Sequence, residues 1–336
     1  TTLNAEENRA IHSFVRSWKP NLVIDVHNYP PKRKYLEEKN YIFYHDILID
    51  SSSNLAVSKK MGQEKLNRLI KDIQFDLSPF NYSCERYVLI NSEGKVRHST
   101  HEIIDARNFL SLRNNTCTIL LEAKDPISKE ENEIERTISA QYIALLSILK
   151  WANQNMGYLV ENSSVLPYKK GDNVPIRCKY ISSDIPFRRN FINTLTKKTE
   201  EVVFPCYESS IRATRYVKLP FAYAIPIDKN RILKVLHNHG FKAEHLEDSK
   251  AYTVEKYVIL SLNPPKVENK PASKVEIMGT YKEQKLENYE IFSVNQVGGH
   301  ALALLLEPQS EYGLYKYEEL NLNLASGSDY PILRVM

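Results

Sequence analysis

Two short apolar runs, each ending on a residue able to do chemistry, constrain this chain more than any other feature. Asn21-Leu-Val-Ile-Asp-Val-His27 leads into Asn28-Tyr29-Pro30-Pro31, and Thr116-Cys-Thr-Ile-Leu-Leu-Glu122 leads into Ala123-Lys124. Each run is rich in β-branched residues and reads as a buried strand. In open α/β sheets, reactive groups gather at the carboxyl ends of strands, where the loops form a crevice. A histidine and a glutamate in those two places predict an imidazole and a carboxylate facing one substrate.

The flanking segments predict the layers around such a sheet. Asn4 and Glu7 form an N-cap signal, followed by Ile11, Phe14, Val15 and Trp18 as one helical face that ends at Lys19-Pro20. Residues 29–53 are rich in tyrosine, with a strand expected over 41–49. A helix is expected over about 54–74, with Leu55, Met61, Leu66, Leu69, Ile70 and Ile73 on or near one face. Residues 75–115 look polar and irregular. Ser128 and Glu131 form a second capping signal for a helix reaching about Asn155, with Ile134, Ile138, Leu145, Leu146 and Leu149 expected inward and Gly157 as the stop.

Helix, strand, helix, strand, helix is the rhythm of a layered α/β domain, assigned to 1–157. A polar stretch over 158–173 reads as a linker. Short β-prone runs then dominate 174–336: 174–180, 201–206, 214–219, 251–261, 274–281 and 289–294, with helices at about 228–239 and 297–306. That half reads as a β-rich α+β accessory domain.

Composition closes off several functions. The net charge of +4 over 336 residues comes without a dense Lys/Arg block interleaved with aromatics, so nucleic acid is not an expected partner. No apolar run approaches the about 20 residues that span a bilayer. The run Leu302–Leu306 is far too short for that and reads as a core helix. Cys84, Cys117, Cys178 and Cys206 are widely spaced, without a Cys-x-x-Cys pair, which disfavours a structural zinc finger. Cys117 lies inside an expected strand and reads as an inert core thiol. The first residues do not read as a secretory leader, residues upstream of Thr1 are expected to be missing, and the compartment stays open.

Taken with its neighbours, the phrase ENRAIHSFVRSWKPNLVIDVHNYPP resembles the helix and strand that lead to the third zinc ligand of the carboxypeptidase A-like metallopeptidases. LSLRNNTCTILLEA is similar to the strand that presents that family's catalytic glutamate. The stretches LPFAYAIP, HNHGFKAEHLED and HALALLLEPQSEYGL resemble a microbial branch with a C-terminal β-rich appendage. The resemblance implies a partial three-layer domain with a mixed sheet between helices. It also implies a zinc-dependent peptidase acting on peptides or cell-wall peptide stems, with His27 as a zinc ligand and Glu122 as the general base. Asn28 and Tyr29 fill the next two positions of the motif. Asp25, two residues before His27 and therefore on the same strand face, is expected to orient the imidazole.

The chain departs from the family in two places. The family draws its other zinc ligands from a His-x-x-Glu pair, and none of the nine histidines here begins one. The expectation is that residues upstream of Thr1 supply those ligands and that this chain alone does not hydrolyse. The family's tyrosine before the glutamate also lacks a match. His98, Ser99, Thr100 and His101 occupy that region, with Arg107 or Arg113 as candidates to meet an anionic substrate group. Two alternatives follow: a non-catalytic binder of peptide or glycan, and a deacylase or amidase of the same superfamily. His237, His239 and His245 look like a metal cluster, although a solvated helix end closed by Gly240 is the simpler reading.

Overall fold

The computed structural model describes all residues except 1, 2, 4, 58–60, 129, 165–167, 248–249, 263–274, 318–319, 321 and 323, and the side chains of 162 and 164. The first half runs α1 (Glu6–Trp18), β1 (Leu22–Tyr29), α2 (Lys34–Glu37), β2 (Tyr41–Phe43), β3 (Ile47–Ser51), α3 (Gln63–Leu77), β4 (Cys84–Arg86), β5 (Leu89–Ile90), β6 (Val96–Arg97), α4 (Ala106–Asn114), β7 (Cys117–Lys124), α5 (Glu131–Gln154) and α6 (Met156–Ser164). The second half runs β8 (Asn173–Ser183), β9 (Phe187–Asn193), β10 (Thr199–Phe204), β11 (Tyr207–Lys218), β12 (Ala222–Pro226), α7 (Asn230–Asn238), β13 (Tyr252–Leu262), β14 (Val275–Gln284), β15 (Tyr289–Ser293), α8 (Ala301–Leu306) and β16 (Leu333–Val335).

The fold is mixed α/β. Both expected strand ends lie in one four-stranded sheet of order β1-β7-β3-β4, with β1 parallel to β7 and β3 antiparallel to it. β7 is central and almost wholly buried, which is why its sequence is a continuous apolar run. α3 and α5 cover one face. Leu66, Leu69, Ile73 and Leu77 recur at helical spacing on α3 and meet Ile119 and Leu121 of β7 in one apolar cluster. The second half supplies a five-stranded sheet of order β14-β13-β16-β12-β15, backed by α8, whose six residues are all buried as expected of a core helix.

Two further sheets join strands from both sides of residues 158–173. β2 pairs with β9 beside β10, and β5 and β6 continue through β11 to β8. The largest apolar cluster likewise combines Ile103, Phe109 and Leu112 with Tyr223, Phe241 and Phe292.

Several expected elements shift. The strand over 41–49 is two strands, broken at Tyr44–Asp46, and the helix over 54–74 begins only at Gln63. Residues 75–115 contain β4, β5, β6 and α4. Asp105 caps α4 by accepting from the Arg107 amide at 3.1 Å. α5 closes at Asn155, and Gly157 lies inside α6. The Ser128–Glu131 box does not form: Ser128 Oγ accepts from the Glu130 amide, and Glu133, not Glu131, reaches back to the Ile127 amide. Asn4 lies outside the described residues.

The inward faces of two helices are also reversed. On α5 the buried residues are Ala140, Ala144, Ser147, Ile148 and Trp151, while Ile138, Leu146 and Leu149 are about half exposed or more. Ala140 and Ala144 share the buried face with Ile148 and Trp151, in the apolar cluster that also holds Ile119 and Leu121 of β7. On α1 only His12 and Val15 are buried, and Ile11, Phe14 and Trp18 face out. Among the described residues no helix is long and apolar enough to cross a membrane, and no disulfide forms.

Candidate functional site

His27 and Glu122 are direct register partners on parallel β1 and β7. Partners in a parallel ladder project from the same face, so imidazole and carboxylate stand side by side near the carboxyl ends of both strands. Asp25 shares that face, and its Oδ1 lies 2.8 Å from His27 Nε2. That bond occupies Nε2 and leaves Nδ1 as the nitrogen through which His27 would meet anything else. The imidazole is exposed, with 56% of its side-chain surface open.

Glu122 is half-buried. Burial pushes its carboxyl above the ordinary glutamate range, against the pull of His27, Arg107 and Arg33, while Asp25 adds to the rise. A carboxylate raised by its surroundings is suited to accept and return a proton near neutrality.

Arg107 is the one expected arginine whose charge reaches Glu122. It is buried and held by Asp105, with Nε to Oδ1 at 3.1 Å and Nη2 to Oδ2 at 2.7 Å, and its Nη1 donates to Ser99 Oγ. Burial alone would draw its pKa down, but Asp105, with Asp50, more than offsets that. Arg33, at the amino end of α2, was not singled out from sequence, although the Lys32-Arg33-Lys34 run directly after the prolines marks a cationic turn beside the strand end.

The other expected residues are engaged elsewhere. Tyr29 is buried, donates its hydroxyl to the His45 carbonyl and packs edge-on against Phe43. Asn28 turns to the opposite face, where Gln141 of α5 donates to its Oδ1 at 3.3 Å and to the His27 carbonyl at 2.9 Å. His101 is buried between the two halves, 2.8 Å from the Tyr312 hydroxyl and 3.7 Å from Glu311. Arg113 donates to the carbonyls of His239, Gly240 and Val297 and lies over the Phe241 ring. Its guanidinium joins the halves of the chain and does not open toward Glu122.

The histidines after α7 separate. Gly240 closes the helix at φ +74°, as the glycine predicted. His239, expected at a solvated helix end, is instead buried with His12, their Nδ1 atoms 3.0 Å apart, because α1 packs over this turn. His237 pairs with Glu290 at 2.6 Å.

The donor set was tested against the zinc ion that the family resemblance implies. Among the described residues no group of three or more His, Cys, Asp or Glu is arranged to hold a metal. His27 is one imidazole, already bonded to Asp25. The described residues by themselves therefore do not fit a catalytic zinc site, which takes three protein ligands and a water. No family model matches the chain, and no curated protein or solved structure matches it.

Proposed function

We propose that the β1/β7 strand ends form the acid–base half of a peptide- or amide-hydrolysing site of the carboxypeptidase-like kind. The observation that carries this reading is the register pairing of His27 with Glu122 on adjacent parallel strands. In this reading Glu122 takes a proton from the attacking water and returns it to the leaving nitrogen. Asp25 fixes the His27 ring. Arg107 and Arg33 provide positive potential for an anionic substrate group. Among the described residues, His27 is the group this reading would offer to a zinc ion, through Nδ1.

The test is hydrolysis of a peptide panel and of N-acyl amino acids by the full-length gene product, with and without added zinc. Glu122→Gln is expected to lower kcat by roughly 10²–10⁴-fold with an unchanged circular dichroism spectrum. Retained turnover would remove Glu122 as the base. Preference for N-acyl amino acids would select the deacylase reading. The base must be ionised, so activity is lost as pH falls through the Glu122 pKa. The acid limb of the rate profile is therefore expected above 4.5, the ordinary glutamate value. A limb at or below that value would dissociate it from Glu122.

A second reading, a non-catalytic binder of peptide or glycan, is favoured by the lack of a three-ligand group among the described residues. It predicts peptide binding that Glu122→Gln leaves unchanged, with no turnover under any metal condition.

A further inference from the structure

Away from the β1/β7 ends, a cleft of about 710 Å³ opens between α3, β4 and β9. Its lining carries four cationic side chains, Lys71, Arg86, Arg188 and Arg189, against two carboxylates, Glu85 and Glu201. Two of the cations are partly matched: Arg188 pairs with Glu201 at 3.0 Å, and Arg86 reaches Asp50 at 3.4 Å.

Arg189 is matched only at the outer limit of an ion pair. Its side chain is 5% exposed, and its nearest carboxylate, Glu85, is 4.0 Å away. Nη2 donates to the Arg86 carbonyl at 2.8 Å, while Nη1 is buried without a hydrogen-bond partner among the described residues. The guanidinium lies over the Phe187 ring, 4.9 Å from its centroid. His45, also lining the cleft, has a buried Nδ1 that lacks a partner in the same way.

Burial draws the Arg189 guanidinium down to about 10, with Glu85 and the Tyr29 and Tyr207 hydroxyls opposing and Arg86 adding to the fall. A buried cation whose nearest carboxylate is only at ion-pair distance is costly unless another anion completes it. Around it stand the amide side chains of Gln63, Asn67, Gln74 and Asn190, which can hydrogen-bond an oxyanion at the mouth. The volume suits a small organic solute.

We propose that this cleft binds a small oxyanion, a phosphate or carboxylate group, with Arg189 as the buried anchor and Arg188 and Lys71 at the mouth. Planar guanidinium groups recognise either anion through paired N–H donors. The proposal stands apart from the His27–Glu122 reading, since none of its residues is assigned a role there.

The test is calorimetric titration of the whole chain with inorganic phosphate and, separately, with citrate, at ionic strength held constant with sodium chloride. At least one anion is expected to bind saturably and to raise Tm. Phosphate alone would identify a tetrahedral dianion, and citrate alone a carboxylate. Arg189→Gln is expected to abolish binding. Because that variant removes a buried group, Arg188→Gln and Lys71→Gln are measured beside it. Both positions are exposed, so each should weaken binding several-fold without changing Tm in ligand-free buffer. Failure of both anions to bind above the chloride background would overturn the proposal, as would wild-type affinity in both surface variants.

Discussion

Arg334→Met is expected to destabilise the chain by about 3–5 kcal/mol, because it strands a buried carboxylate. Arg334 lies on β16, the middle strand of the five-stranded sheet, and is buried. Its Nε stands 3.1 Å from Glu307 Oε1, as an ion pair rather than an aligned hydrogen bond. Nη1 donates to the Tyr257 hydroxyl at 2.7 Å and to Glu255, and Nη2 donates to the Lys218 carbonyl at the end of β11. Glu307 is 2% exposed and also accepts from Tyr223 at 2.8 Å. Burial pushes the Glu307 carboxyl up, and Arg334 is the largest influence holding it down.

Removing the guanidinium leaves Glu307 without a cation and the Lys218 carbonyl without its donor. The double variant Arg334→Met with Glu307→Gln is expected to recover part of the loss, since the Glu307 charge goes with it while Glu255 still lacks Arg334. Urea unfolding of both variants decides the matter. A single variant within about 1 kcal/mol of wild type, below even the low end of that range, would show that the cluster does not hold the two sheets together.

The second large effect is loss of stability in mild acid. His12, His45, His101 and His239 are buried, and burial is the leading cause that draws their pKa values to about 3, 3, 4 and 4. In the unfolded chain each titrates near 6.5. A depressed histidine favours the fold above the unfolded pKa, and that contribution is lost as pH falls from 6.5 toward the folded value. Between pH 7.5 and 5.5 each imidazole is expected to remove about 1.3 kcal/mol, on the order of 5 kcal/mol in all. That is comparable to the whole stability of many domains.

Raised carboxyls act with the opposite sign. Glu102, Glu122, Glu307 and Glu311 are all pushed up by burial, so their protonation favours the fold as pH falls and offsets part of the histidine loss. The histidine loss sets in as pH falls below about 6.5 and grows between about pH 6.5 and 5.5. There the four imidazoles contribute a slope of unfolding free energy corresponding to roughly two to four protons taken up on unfolding. A flat profile across that interval would mean that these imidazoles are charged in the fold.

How much of the site was legible depended on the range of the interaction. Asp25 and His27 are two residues apart on a strand, so their shared face follows from period-2 alternation alone, and the 2.8 Å contact bears it out. The placement of Arg33, Arg107 and Arg113 was not so accessible. Whether a guanidinium turns to Glu122 or to backbone carbonyls depends on which loops pack over it. For Arg113 the deciding loops lie more than a hundred residues downstream.

The sequence by itself determined the elements whose periodicity is strong and local. The two strands ending near His27 and Glu122, the long helix beginning near Glu131, the buried Ala301–Leu306 helix and the Gly240 stop are all present. Tertiary structure alone decided which strands from distant parts of the chain share a sheet, and that Tyr29 is a core residue. It also decided which face of α5 lies inward: Ala140, Ala144, Ile148 and Trp151 pack with β7 in one apolar cluster, and Ile138, Leu146 and Leu149 do not. Those outcomes turn on steric fit and on the desolvation of buried charge, which exist only once distant segments meet.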